Sequence, residues 1–222
     1  KNISMKDEEI MIHLEKNHYD VEATFHFSNQ GETKELSVGF PKFGKGYYPE
    51  FQGTKDFLSF ETWVNKEPVT FEEYLDSSSL KIDVSGLNFK EFCEAMAKKE
   101  LKDGSIEITE NSWMAKKVKF VSNQITETKI KYSSPYRELA DSRIAYYIFG
   151  TGSTWSGNIG NATFKIISSK DIPELIVRFN DQKRYNNSLI KKDSEQEYTV
   201  EIQNFKPEFS DRIEVLKDFP KY

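Results

Sequence analysis

A disulfide framework is excluded at once, because the 222 residues contain a single cysteine, Cys93. The same count denies Cys93 a second thiolate with which to build a Cys-rich zinc site. An excess of basic charge is also missing: 31 Lys and Arg stand against 36 Asp and Glu, for a net charge of -5. A chain that works by neutralising phosphates needs a clustered basic face, so nucleic acid is not an expected partner. No apolar run approaches the ~20 residues of a helical membrane span, and the chain is expected not to span a membrane in that way. Histidine is scarce, with His13, His18 and His26 making up the whole supply.

Aromatic residues are abundant: 17 Phe, 11 Tyr and 3 Trp. That is far more apolar ring surface than a disordered chain carries, so the 30% of charged residues must coat a folded core. The length allows one large domain or two small ones.

The opening stretch shows how the core begins. Ile10, Ile12 and Leu14 alternate with Met11, His13 and Glu15, and Tyr19, Val21, Ala23, Phe25 and Phe27 alternate with polar residues. A period of two predicts strands with one wet face. A turn at Lys16-Asn17 puts Leu14 opposite Tyr19, Ile12 opposite Val21 and Ile10 opposite Ala23, which aligns both apolar rows. After the turn at Asn29-Gln30-Gly31, a third antiparallel strand carries Leu36, Val38 and Phe40, and Pro41 is expected to end it. Further strands are predicted at residues 57–64, 113–121, 125–132, 143–149, 162–167, 174–179, 197–205 and 213–216, with Ser122-Asn123-Gln124 closing a second hairpin. Between Asn88 and Leu101 the spacing of Phe89, Phe92, Cys93, Met96 and Ala97 turns helical, with Asn88 as N-cap and Gly104 as stop. The expected fold is mainly β, an antiparallel sandwich or sandwiches with one short helix. Its expected division is a β-sheet region over 1–75, a helical connection or insertion over 76–110, and a β-sandwich region over 111–222.

The chemistry that usually marks an enzyme fails at each place it is sought. Gly150-Thr151-Gly152 follows an apolar strand, yet Trp155 stands where a dinucleotide loop needs its third glycine, and strand rather than helix follows. His18 and His26 share a face but lie about 26 Å apart along a strand, so they cannot bind one ion. His13 faces Asp20, two ligands at most. Cys93 sits on the apolar stripe of its helix, and no Gly-x-Ser-x-Gly turn occurs. Carboxylates are too many for spacing to select a catalytic pair. No catalytic residue, metal or cofactor is therefore expected. The candidate binding residues are aromatics in glycine-rich loops: Phe43, Tyr47, Tyr48 and Phe51 around Gly44 and Gly46, and Trp155 among Gly150, Gly152, Gly157 and Gly160. Such rings serve either as contacts for a sugar, peptide or partner, or as plugs over open sheet ends.

Two stretches carry a resemblance. Val21-Glu22-Ala23-Thr24-Phe25-His26-Phe27-Ser28-Asn29-Gln30-Gly31-Glu32, closing with Val38-Gly39-Phe40-Pro41, is one. The other runs Tyr147-Ile148-Phe149-Gly150-Thr151-Gly152-Ser153-Thr154-Trp155-Ser156-Gly157-Asn158-Ile159-Gly160-Asn161-Ala162. Together they resemble secreted bacterial proteins grouped as domain-of-unknown-function family 4424, over most of the chain. The resemblance implies an extracytoplasmic bacterial protein made with a signal peptide, and the start at Lys1 rather than Met fits that expectation. It brings no catalytic residues. The expected function is a non-enzymatic interaction or binding domain with a protein or glycan partner at the cell envelope. The alternative is a carbohydrate-binding module or a carbohydrate-active hydrolase.

Overall fold

The computed structural model describes residues 2–42, 57–76, 111–139, 142–172, 174–208 and 211–218. The chain is mainly β. The strands are β1 Ile3–Leu14, β2 His18–Asn29, β3 Lys34–Lys42, β4 Ser59–Val64, β5 Glu67–Pro68, β6 Glu72–Asp76, β7 Asn111–Phe120 and β8 Ile125–Pro135. They continue as β9 Arg137–Leu139, β10 Ser142–Ile148, β11 Ile159–Ser168, β12 Ile176–Phe179, β13 Ile190–Lys192, β14 Glu197–Phe205 and β15 Arg212–Lys217. An eight-stranded sheet runs β13-β14-β11-β1-β2-β8-β4-β5, a four-stranded sheet β12-β15-β10-β9, and a three-stranded sheet β3-β7-β6. The pairing is antiparallel except between β1 and β11. The helix expected over 88–101, with Cys93, lies outside the described residues, as do Phe43, Tyr47, Tyr48 and Phe51.

The first hairpin has the register its alternation demands, with Leu14 opposite Tyr19, Ile12 opposite Val21 and Ile10 opposite Ala23. A bulge between Met5 and Asp7 shifts the parity of β1. Because one extra residue is inserted there, the odd residues Ile3 and Met5 face the same side as the even residues Glu8, Ile10, Ile12 and Leu14. That side is the inner face of the large sheet. One part packs on Tyr147, Phe149, Phe179, Ile213 and Val215 of the four-stranded sheet and its flanks. The other packs, through Ile3, Met5 and Phe27, on Val118 and Phe120 of the three-stranded sheet. One broad sheet is thus covered on one face by two small ones, each fully buried large side chain contributing about 1.5–3 kcal/mol. The opposite face is wet and ordered by ion pairs across strands, among them Glu22–Lys129 at 2.7 Å, Lys165–Glu197 at 2.7 Å and His26–Asp7 at 2.5 Å.

Three expectations are corrected. The third strand does not extend the first hairpin: β2 has β1 on one edge and β8 on the other, so β3 pairs with β7 instead. Asn29 makes the crossing, its side chain donating to Glu32 O at 2.8 Å and Phe120 O at 2.9 Å while its Oδ1 accepts from Gly31 N. For the same reason Ser122-Asn123-Gln124 does not close a hairpin, since β7 belongs to the three-stranded sheet and β8 to the large one. Pro41 does not end β3, which runs on to Lys42. A proline is tolerated there because β3 is an edge strand, where a missing N–H removes no ladder bond.

Candidate functional site

A groove of about 1030 Å³ begins on the outer face of the three-stranded sheet and wraps around the edge of β3. Its floor follows from the register. Gly39, Ala115 and Glu72 stand side by side across three strands, and Ser37 stands beside Lys117. Gly39, Ala115 and Ser37 are small and leave the sheet surface low, with Trp113, Lys117 and Glu72 rising around them. Trp113 leans over Gly39, where an added Cβ would meet its ring at 3.1 Å. Beyond the edge of β3 the groove is walled by Leu36, Val38, Thr151 and Trp155. Leu36 is 38% exposed on that wall.

Trp155, the binding residue expected from the glycines around it, is placed by that loop. A single 3-10 turn over Gly150–Thr154 delivers the ring, Lys206 Nζ donates to Trp155 O at 2.7 Å and Gly157 O at 2.9 Å, and Ser156 N donates to Ile3 O at 3.1 Å. Gly157 takes φ +71°, a backbone that L side chains rarely adopt. The Asp211 carbonyl accepts from Phe149 N and Gly150 N, and its carboxylate accepts from Tyr185 OH at 2.7 Å, so the loop hangs from a buried acid. The ring ends half-buried, 4.4 Å from Phe27 and 5.8 Å from Phe120 between centroids. It is both plug and wall: one side completes the core and the other lines the groove.

Behind Trp155, between the sheets, lies a void of about 40 Å³ bounded by Met5, Phe27, Phe40, Phe60, Met114 and Lys116. It shares Val38, Gly39, Thr151 and Trp155 with the groove. Lys116 is 7% exposed, and its ammonium donates to Thr62 Oγ1, to Trp63 O at 3.0 Å and to Lys129 O at 3.1 Å. Three oxygens occupy its three protons. None carries a charge, and burial lowers the amine from 10.5 to about 8. Glu8, 1% exposed on the inner face of the large sheet, is the opposite case: burial raises its carboxyl from 4.5 to about 8, and Oε1 meets no donor among the described residues.

The histidines do not converge. His26 Nδ1 meets Asp7 and its Nε2 faces Glu127 at 3.5 Å, two acids on opposite ring nitrogens, and His18 faces Asp20 at 3.6 Å. Those contacts raise His26 against the opposing effect of its burial. Among the described residues no group of three His, Cys, Asp or Glu side chains is placed to hold a metal ion.

In fold, the chain is similar to a solved protein of Legionella pneumophila described as a candidate nutrient binding protein. The TM-score is 0.63 and the identity 16%, over 97% of this chain and 67% of that one. A zinc metallopeptidase of Deinococcus radiodurans aligns at a TM-score of 0.43 and 6% identity, covering 97% of this chain and 42% of its own. A leukotriene A4 hydrolase of Saccharomyces cerevisiae aligns at 0.46 and 9%, with 97% and 29% covered. No family model and no curated protein matches the chain. The Legionella likeness establishes a shared fold.

Proposed function

We propose that this domain is a non-catalytic binding module whose ligand lies in the groove around β3. The observation that carries the reading is the cavity itself, about 1030 Å³ with apolar Leu36, Val38 and Trp155 beside polar Ser37, Lys117 and Glu72. Ligand sites mix apolar walls with a few polar groups in this way, and this volume is at the upper end of their range. It suits an oligomeric ligand better than a single amino acid or sugar. The solved Legionella protein, described as a candidate nutrient binding protein, supports a binding role for the shared fold. In this reading the domain works outside the cytoplasm, as the resemblance to family 4424 implies.

The test is thermal unfolding of the wild type and of Leu36→Asp with a panel of amino acids, random decapeptide pools and oligosaccharides. Leu36 is exposed enough for the substitution to leave the fold intact. At a ligand concentration of 100 Kd, binding adds about 2.7 kcal/mol of stability, a shift of several degrees. The expected result is a ligand class that raises the wild-type midpoint and leaves the variant unmoved. Equal shifts in both proteins would overturn the groove as the site. A shift with oligosaccharides alone would make the module a carbohydrate binder.

A further inference from the structure

We infer that the occupant of the groove is an extended polypeptide that adds to β3 as a fourth strand of the small sheet, running antiparallel to it. The inference rests on the groove being the ligand site and names what fills it.

The geometry starts at Pro41. Pro41 pairs with Trp113 and has no N–H to give, and prolines inside strands are placed with that side turned to an open edge, which assigns Pro41–Trp113 as a pair without ladder bonds. Backbone groups in an antiparallel pair alternate between facing the neighbour and facing away. Counting back along β3, the N–H and C=O groups of Gly39, Ser37 and Glu35 therefore point away from β7, to the open edge, while those of Phe40, Val38, Leu36 and Lys34 bond to it. No described strand lies on that edge. The groove is lined by β3 residues of both faces, Leu36 and Val38 on one and Ser37 and Gly39 on the other, which is the signature of a cavity that opens onto a strand's edge. A free edge carrying apolar side chains is the surface on which strand addition occurs.

Charge sets the direction. At the Lys34 end the groove holds Lys34 on β3 itself and Lys117 on the neighbouring strand, while Glu72 and Glu73 lie on β6, at the far edge of the sheet from the added strand. A peptide running antiparallel to β3 brings its carboxylate end to the Lys34 end, and a parallel one brings its amino end there.

Ser37 gives the decisive variants. Ser37→Pro removes an outward-facing donor and leaves the β3–β7 bonds in place, whereas Ser37→Ala loses only the hydroxyl that accepts from Lys117 Nζ. A phage-displayed library of random decapeptides is selected on the wild-type protein, and the enriched peptides are synthesised with free ends. They are expected to bind Ser37→Pro at least tenfold more weakly than Ser37→Ala, which lacks the same hydroxyl but keeps the amide, and to slow amide exchange at Glu35, Ser37 and Gly39 by tenfold or more. The amides of Leu36 and Val38, bonded to β7, should be slow already. Matching melting curves for the two variants confirm that both fold. Failure to enrich any peptide, undiminished binding to Ser37→Pro, or unprotected amides at the three positions would each overturn strand addition. A small molecule whose binding is lost in Leu36→Asp but kept in Ser37→Pro would sink the strand and leave the groove standing.

Discussion

Trp155 sits with one side of its ring against Phe27 and Phe120 and the other toward the groove, so a single substitution separates its two roles. Trp155→Ala removes a half-buried ring rather than a fully buried one. The expected loss of stability is about 2 kcal/mol, below the 3–5 kcal/mol of a fully buried tryptophan. Urea unfolding of the variant beside wild type measures it, and a change under about 0.5 kcal/mol would remove the plug role. At this scale the sequence pointed to one residue that lines the candidate groove. A large aromatic among four glycines marked Trp155, but Leu36, Val38 and Trp113 read as ordinary strand residues. What could have marked them is Pro41: a proline inside an apolar alternation signals an edge, and an edge strand keeping a leucine exposed is a place to look for a partner.

Among elements, the period-two stretches were legible because one wet face and one dry face leave a single workable register, and β1 with β2 is the clearest case. What alternation cannot supply is the partner of each strand. β3 and β7 show the limit, since each adjoins a turn that looks local, β3 after it and β7 before it, and each belongs to a different sheet from the strand on the other side of that turn. The bulge in β1 was hidden for a different reason: the even row of its inner face includes Glu8, whose charge disguises a buried position. Turn chemistry is more direct. The β4–β5 connection is a two-residue turn with Asn65 at φ 49° and Lys66 at φ 72°, and Val64 pairs with Glu67 across it. Both central residues with positive φ make the twist-matched hairpin turn, in which the second position favours glycine. Lys66→Gly should raise stability by about 0.5–1 kcal/mol, read as a later denaturant midpoint with an unchanged slope. An earlier midpoint would mean that the Lys66 side chain contributes more than its backbone conformation costs.

At the scale of the whole molecule, the three sheets are held together by an interior that accommodates two ionisable groups poorly, and that fixes how stability follows pH. Glu8 lies on the inner face of the large sheet, and Lys116 reaches from the small sheet to β4 and β8 of the large one. The folded carboxyl of Glu8 titrates near 8, above its unfolded value of 4.5. Its contribution is fully present below pH 4.5 and is lost as pH rises toward 8, because the unfolded chain gives up its proton first. The folded amine of Lys116 titrates near 8, below its unfolded 10.5. Its contribution is therefore present above 10.5 and lost as pH falls to 8. Both costs are largest around pH 8, so unfolding free energy should fall by roughly 3 kcal/mol between pH 5 and 7.5 and recover by roughly 2 kcal/mol between pH 8 and 10. Recovery stops there, since burial holds Tyr132 and Tyr147 neutral in the folded state while the unfolded chain begins to ionise them. His26, raised by Asp7 and Glu127, adds to the descending limb, and Glu8→Met isolates the share due to the carboxyl. Glu8→Met should level most of the limb from pH 5 to 7.5 and stabilise the protein there, while Lys116→Met should level the limb from 8 to 10 and leave the acid side unchanged. Urea titrations at half-unit pH steps decide it: a wild-type curve flat from pH 5 to 8 would mean that Glu8 is solvated in the folded state, and that the two faces packed around it part far enough to admit water.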